Sequence, residues 1–310
     1  MVALMDTQII SFYIEETDAG ERIDRYLARV TDASRSHIQN AIAQESILVN
    51  DHPVKPNYTL KCGDIITVIQ SEPQPVDILP EDIPLDILYE DNDLLIVNKP
   101  KGMVVHPAPG HASGTLVNAV MYHCGQNLSG INGQLRPGIV HRIDKDTTGA
   151  LVVCKNDAAH TILADLLKDH SITRRYVGIV IGHLPEEGSV DAPIGRDPKD
   201  RKKMCVTEKN SRRAVTHFKV LQSFKDYTYA EFTLETGRTH QIRVHMKHIG
   251  HPILGDTVYG PAKCPFRLEG QTLHARDIGF VHPSTGEYIE VSAPLPAYFT
   301  HLLEILSSGC

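Results

Sequence analysis

Residues 141–149, His-Arg-Ile-Asp-Lys-Asp-Thr-Thr-Gly, set charged and hydroxyl side chains between two apolar runs, Ile139-Val140 and Ala150 to Cys154. A polar loop held on a rigid scaffold is a common home for catalytic groups. A carboxylate in such a loop, with a reference pKa near roughly 3.9, is ionised at neutral pH and can trap or stabilise positive charge developing on a substrate. The same residues also make sound turn chemistry, since Asp and Thr bond nearby amides and Gly149 accepts positive φ. The loop by itself leaves both readings open.

The second constellation runs from Glu235 to His245 and contains Arg238-Thr239-His240-Gln241-Ile242-Arg243. Thr239 reads as the N-cap of a helix whose core face is Ile242, His245 or Met246, and Ile249, with Gly250 at the C-cap and Pro252 beyond. Its other face carries His240, Arg243 and Lys247 at spacings of three and four, a basic stripe suited to phosphates or to a carboxylate partner. Histidines at 240, 245, 248 and 251 raise the question of a metal-dependent hydrolase. The spacing argues against one: a helical zinc pair needs its ligands four apart, and no Cys or acidic cluster completes the set.

These groups must be positioned by folded elements, and the pattern supplies them. Residues 1–19 read as an N-terminal strand or extension. From 20 to 71 the chain reads as a small module: Ile23, Leu27 and Val30 share one helix face, Ser34 caps a second helix with Ile38, Ala41 and Ile42 inward, and strands follow at Ile47-Val49 and Ile65 to Ile69. Residues 72–84, with four prolines among acids, read as a linker. The remainder, 85–310, reads as one large domain. It has a buried strand at Leu94 to Val97 and further strands at Ile139-Val140, Ala150 to Cys154, Tyr176 to Ile181, Phe218 to Leu221 and Tyr229 to Leu234. Helices are expected over Ser113 to Cys124, with Ser113 near its cap, and over Asp157 to Lys168, with Ile162, Leu163, Leu166 and Leu167 inward. Strand-rich segments with fewer helices indicate an α+β domain on one extended sheet.

Length suits two domains, since single cores stop growing near roughly 250 to 300 residues. With 41% hydrophobic and 22% charged residues the chain has the composition of a soluble globular protein. No apolar run reaches the roughly 18 residues a membrane crossing needs, and the start lacks a basic n-region, so a cytoplasmic protein is expected. Its six cysteines are scattered without a CxxC pair, which suits reduced structural thiols. The net charge of −7 looks unfavourable for nucleic acid, but Ser71 to Val97 holds eight acids and no base, whereas Arg196 to Arg213 holds eight bases against three acids. A monomer is expected, because no long apolar seam stands out.

Arg22-Ile23-Asp24, Ser34-Arg35-Ser36, Val49-Asn50 and Gly63-Asp64 resemble the S4 (αL-type) RNA-binding domain in order and spacing, with Glu45-Ser46 where that family usually has a glycine. The catalytic-loop and Arg-Thr-His-Gln-Ile-Arg motifs resemble the pseudouridine synthases that act on bacterial 23S ribosomal RNA. The likeness extends through Asn98-Lys99-Pro100, His106-Pro107, Gly114 to Asn118, Val190 to Gly195 and Gly255 to Gly260. Residues 106–122 and 182–206 look most like the branch member that modifies the stem-loop at the ribosomal subunit interface.

The resemblance implies a catalytic domain with an extended mixed, largely antiparallel sheet, flanking helices and a central cleft. It implies that Asp144 attacks the flipped uridine, that Arg243 pairs with Asp144, that Tyr176 stacks on the base, and that no cofactor or metal is needed. It further implies RNA contacts by His141, Arg142, Arg238 and His240 near the cleft, by Lys202 and Lys203 in the basic stretch, and by Arg22 and Arg35 in the small module. The partner would be large-subunit ribosomal RNA or the assembling particle. An alternative is a non-catalytic S4-domain binding or assembly factor on a decayed scaffold; the presence together of Asp144, Tyr176 and Arg243 argues against decay.

Overall fold

The computed structural model describes all residues except 1–6, 32, 34, 72–77, 109, 126, 132–136, 201 and 310. The expected cap Ser34, the first residues of the N-terminal extension and residues 72–77 of the expected linker lie outside the described residues. The chain divides into two units, Met1–Pro75 and Val76–Cys310. Among the described residues no helix is long and apolar enough to cross a membrane.

The first unit contains β1 (Thr7–Tyr13), α1 (Ile23–Val30), α2 (Arg35–Ala43), β2 (Ile47–Val49), β3 (His52–Pro53) and β4 (Ile65–Ser71), with the four strands in the order β1-β4-β2-β3. Its core joins Ile23, Tyr26 and Leu27 of α1 to Ile38 and Ile42 of α2 and to Ile47, Val49 and Ile66 of the sheet. Val30, expected on this face, is exposed, because α1 ends there and the core lies under its earlier turns. Glu45 takes the left-handed φ of 58° that a glycine would supply more cheaply, so the turn keeps that geometry at a cost of about 1 kcal/mol.

Asp24, wholly buried, ties the two helices together. Arg22 donates to both of its oxygens at 3.0 Å, and Arg35 and Gln39 donate to Oδ2 at 2.7 and 2.8 Å. Burial alone would raise the carboxyl's pKa; hydrogen bonds from Arg35, Gln39 and Arg22 overcome this and hold it well below the usual carboxylate range. The folded-state value is depressed, so the stabilisation is present above the unfolded value near 3.8 and is lost as pH falls through the folded one. Asp24→Asn is expected to cost the first unit roughly 1–3 kcal/mol at pH 7 and much less in strong acid. Hydrogen exchange over residues 7–71 at both pH values checks this; equal protection in variant and wild type at pH 7 would remove the role given to Asp24.

The second unit contains β5 (Ile87–Glu90), β6 (Leu94–Lys99), α3 (Leu116–Cys124), β7 (Thr148–Cys154), α4 (Asp157–Lys168), β8 (Thr173–Ile181), β9 (Glu187–Asp191), β10 (Ile194–Arg196), β11 (Met204–Val206), β12 (Ser211–Arg212), β13 (Val215–Ser223), β14 (Tyr227–Leu234), α5 (Gln241–His248), β15 (Leu273–Val281), β16 (Tyr288–Ser292) and α6 (Ala297–Ser307). Nine strands form one sheet in the order β5-β6-β7-β15-β8-β14-β13-β9, with β16 beside β15; β10, β11 and β12 form a separate small sheet. Every pairing in the large sheet is antiparallel except β7 with β15.

Alternation along the strands splits the apolar residues between two faces. Leu95, Val97, Leu151, Val153, Tyr176, Val180, Ala230 and Phe232 pack on one side with α3 and with Ile242 and Met246 of α5. Leu94, Ile96, Ala150, Val152 and Cys154 pack on the other with Ala159 and Leu163 of α4, and α6 covers Val177 and Ile179 there through Phe299, Leu302 and Leu306.

Several expectations shift. Helix α3 begins at Leu116, not near Ser113, because Thr115 and Asn118 form a reciprocal capping box. Ile162 is exposed: only Ala159, His160 and Leu163 of α4 are buried. Ile139-Val140 is not a strand; Ile139 makes an isolated bridge to Val153 before the chain turns into the 141–147 loop. The described part of the expected linker, 78–84, packs onto α3: Ile78 enters the core, Asn118 donates to Leu79 O at 2.8 Å, and Glu81 accepts from Gly114 N–H.

Where β7 meets β15, Gly149 has a φ of 110°, and a Cβ there would stand 2.1 Å from Ala275 O. This close approach fixes where the 141–147 loop enters the sheet. Gly149→Ala is expected to cost on the order of 3 kcal/mol and to reduce activity with it; an unaltered melting curve would show that the strands part without penalty.

Candidate active site

The 141–147 loop is held from below. Lys99, at the end of β6, is fully buried and donates to Pro100 O and Met103 O at 2.8 Å and to Lys145 O at 3.0 Å, while Gly102 N–H also bonds Lys145 O. Burial pushes this lysine down to about 7, opposed by Asp146 and Asp144. Its three carbonyl acceptors match the three N–H donors of an ammonium. The loop closes with Thr147 N–H on Asp144 O, which leaves the Asp144 side chain 18% exposed at the floor of a cleft.

Across the cleft, Arg243 on α5 donates Nη1 to Asp144 Oδ2 at 2.8 Å. Its remaining edge grips Asp256 in two bonds, Nε to Oδ2 at 2.7 Å and Nη2 to Oδ1 at 3.0 Å. Arg243 is 5% exposed and the Asp256 side chain wholly buried. Burial would discharge the guanidinium, but Asp256 and Asp144 reverse this and raise its pKa. For Asp256 burial acts upward, and Arg243 together with the amides of Tyr259 and Val258 brings the carboxyl below its ordinary value.

The walls come from separate elements: Tyr176 on β8, Leu234 at the end of β14, Leu273 on β15 and Ile143 of the loop are buried around the opening. Burial raises the Tyr176 pKa, with Arg174 opposing and Asp144 adding, so the phenol stays protonated. His240 sits at the N-cap of α5 in the left-handed region, φ 59°. Its Nδ1 lies 2.8 Å from the Tyr259 hydroxyl, which also accepts from Met204 N–H, and its Nε2 lies 3.8 Å from Asp144 Oδ1. Burial holds the His240 pKa below its ordinary value and pushes Tyr259 up to about 12. The ring of Tyr259 also lies beneath Arg243, 5.1 Å from its guanidinium carbon.

The structure brings together Asp144, Tyr176, Arg243, Arg142, Arg238 and His240. Arg142 is exposed, with Nη1 3.2 Å from His106 Nε2, and Arg238 donates Nε to Arg213 O at 3.0 Å. His141 is not brought in: its Nε2 accepts from Val152 N–H at 3.0 Å, and burial plus the charge of Arg174 push its ring down to about 3. Lys202 and Lys203 lie between β10 and β11, outside the residues lining this cleft. Arg22 and Arg35 belong to the first unit, on Asp24.

Helix α5 also departs from its expected form. Thr239 is not its cap; instead the Gln241 side chain locks the entry turn, accepting from Arg238 N–H and Thr236 and donating to Val215 O. The basic stripe divides, since Arg243 is buried against Asp256 whereas Lys247 is exposed. His245 is buried between Thr216 and Ala192 O, and His251 lies against Ile181 O, so these rings serve the fold. Asp256, Lys99 and Tyr259 lie in motifs that carry the resemblance, but the sequence assigned them no role. Each sits in a motif that reads locally as a turn or strand end, and only a distant partner reveals its role.

The family model described as RNA pseudouridylate synthase matches residues 93–248, and an S4 domain model matches residues 21–66. The chain belongs to the RNA pseudouridylate synthases. An uncharacterised RNA pseudouridine synthase of Bacillus subtilis is 53% identical over 96% of this chain and 98% of its own. The ribosomal large subunit pseudouridine synthase D of Zymomonas mobilis is 46% identical over 94% and 96%. Among solved structures, human RNA pseudouridylate synthase domain containing 1 aligns with a TM-score of 0.58 at 25% identity, over 76% of this chain and 98% of that one.

The synthase match contains Asp144, Tyr176 and Arg243, whereas Asp256 lies beyond its end. In this pseudouridylate synthase Asp256→Asn keeps the shape of the anchor and removes its charge, leaving a buried guanidinium with half its compensation. The expected result is a loss of roughly 3–5 kcal/mol in urea unfolding and at least a ten-fold fall in turnover. Unchanged stability would mean that Arg243 does not depend on this carboxylate.

Proposed function

We propose that this enzyme isomerises uridine in large-subunit ribosomal RNA, in the cytoplasm and as a monomer, with Asp144 as the carboxylate that acts on the sugar. What carries the reading is the Asp144–Arg243 contact at the floor of a cleft walled by Tyr176, Leu234 and Leu273. The relatives named for the ribosomal large subunit support the choice of RNA.

The glycosidic bond of a stacked uridine is out of reach, so the nucleotide must turn out of its helix. In this reading Arg142, at the rim, enters the gap and Tyr176 stacks on the base. Asp144, oriented by Arg243, engages the ribose either by attack at the anomeric carbon or by promoting a glycal. The bond from N1 to the sugar breaks, the uracil turns, and a bond from C5 forms; the hydrogen leaving C5 is balanced by one gained at N1. Substrate and product contain the same atoms, so no redox partner enters. In this reading the Tyr176 hydroxyl serves that proton transfer. Lys202 and Lys203 would hold the backbone in this scheme.

The experiment is reverse-transcription mapping with carbodiimide, which marks pseudouridines, on large-subunit RNA from cells lacking the protein and from cells complemented with wild type or Asp144→Asn. Stops that only wild type restores are expected, together with RNA binding by the purified variant within about three-fold of wild type, because the side chains are nearly isosteric and only one is ionised. Stops restored equally by Asp144→Asn, or unchanged by loss of the protein, would overturn the proposal.

A further inference from the structure

Arg174 and Arg175 are neighbours on β8 and therefore face opposite sides of the sheet. Arg175 is matched by two carboxylates, Asp277 at 2.9 Å and Glu290 at 2.5 Å. Arg174, on the side of Tyr176, is only 8% exposed, yet among the described residues no carboxylate lies within ion-pair distance of it. Its Nη2 donates to Glu235 O at 3.3 Å, and its Nε has no partner. The Glu235 carboxylate, the nearest acid in the chain to that carbonyl, is directed instead to His217 and Arg213.

A buried cation without an anion is costly. The second cation here deepens the imbalance: burial lowers the Arg174 pKa and the charge of Arg238 lowers it further, while Arg238 bonds a carbonyl rather than a carboxylate. The turn between them is open. Gly237 is exposed, and a Cβ there would stand 2.7 Å from Arg174 Nη1, so a residue without a side chain is what leaves room beside the end of the guanidinium.

We propose that Arg174, Arg238 and the gap at Gly237 form a phosphate site that takes a backbone phosphodiester of the RNA next to the extruded uridine. An oxyanion there would supply the charge that the protein withholds, and guanidinium donors suit its oxygens. The inference rests on the reading of the adjoining cleft as the uridine site.

The test compares wild type, Arg174→Met and Gly237→Ala in binding to a 23S ribosomal RNA transcript across a salt series, with thermal unfolding of each free protein and turnover of wild type as the reference. Arg174→Met is expected to weaken binding about ten-fold and to reduce the slope of log K against log salt by about one. Its melting temperature should hold or rise, since an uncompensated buried charge is gone. Gly237→Ala, which keeps every charge and covers Arg174, should reproduce the loss of affinity. If Arg174→Met lowers the melting temperature and leaves the salt slope unchanged, or if Gly237→Ala binds like wild type, the site is not there. Wild type that turns over uridine while both variants bind normally sinks this inference alone; wild type inactive on the transcript sinks the reading beneath it.

Discussion

Arg243 is a cation almost removed from water, and the catalytic half of the molecule is arranged around keeping it charged. Asp256 takes two of its N–H groups in a planar pair and is itself buried, so it acts as the permanent counter-ion. Asp144 receives the single remaining bond from a partly open position. This asymmetry matters for chemistry. A carboxylate held by one bond keeps its second oxygen available, while the two-bond anchor holds the guanidinium in place.

Fixing one end of that contact is useful only if the other end is fixed as well. Asp144 and Arg243 are 99 residues apart in sequence. The loop end is set by Lys99, which ties three carbonyls including that of Lys145, and by the glycine at 149, where β7 and β15 approach too closely for any side chain. The helix end is set by Gln241 in the entry turn and by Tyr259 beneath the guanidinium. Ile242 and Met246 then press α5 onto the same apolar face that carries Tyr176 and Ile143. Hydrophobic packing thus supplies the rigidity, and a few buried polar bonds set the direction.

Much of this was legible in the residues because it obeys local rules. The span of α4 matches the expected 157–168, since Asn156 caps it and Lys168 closes its last turn. Strands stand over the expected 94–97, 150–154, 176–181, 218–221 and 229–234, each somewhat longer than read, whereas Ile139-Val140 forms none because the chain turns there into the 141–147 loop. The candidates Asp144, Tyr176 and Arg243 converge on one cleft. What was not legible depended on partners remote in sequence. Thr239 has good cap chemistry, but Gln241 satisfies the entry turn from inside the helix, and the cap falls one residue later, at His240, in a left-handed conformation. Asp256 reads as a turn former until Arg243 is seen against it. His141 shares the motif of Asp144, yet its ring turns to the β7 backbone and accepts from Val152 N–H.

The net charge of −7 is a poor guide to what this molecule binds, because the fold sorts charge by face. On β8 and β15, Arg175 and Arg276 are neutralised by Asp277, with Glu290 and Glu231 completing the pairs. These acids are spent on the side of the sheet away from the cleft. One residue earlier along β8 the alternation presents Arg174 beside Tyr176, with no carboxylate within ion-pair distance among the described residues. An acidic chain can therefore offer an uncompensated positive patch where a polyanion must dock, provided that its carboxylates are consumed in ion pairs elsewhere. The segment from Ser71 to Val97 contributes eight acids to the total and none to the lining of the cleft, so the sum over the sequence and the potential at the site are set by different residues.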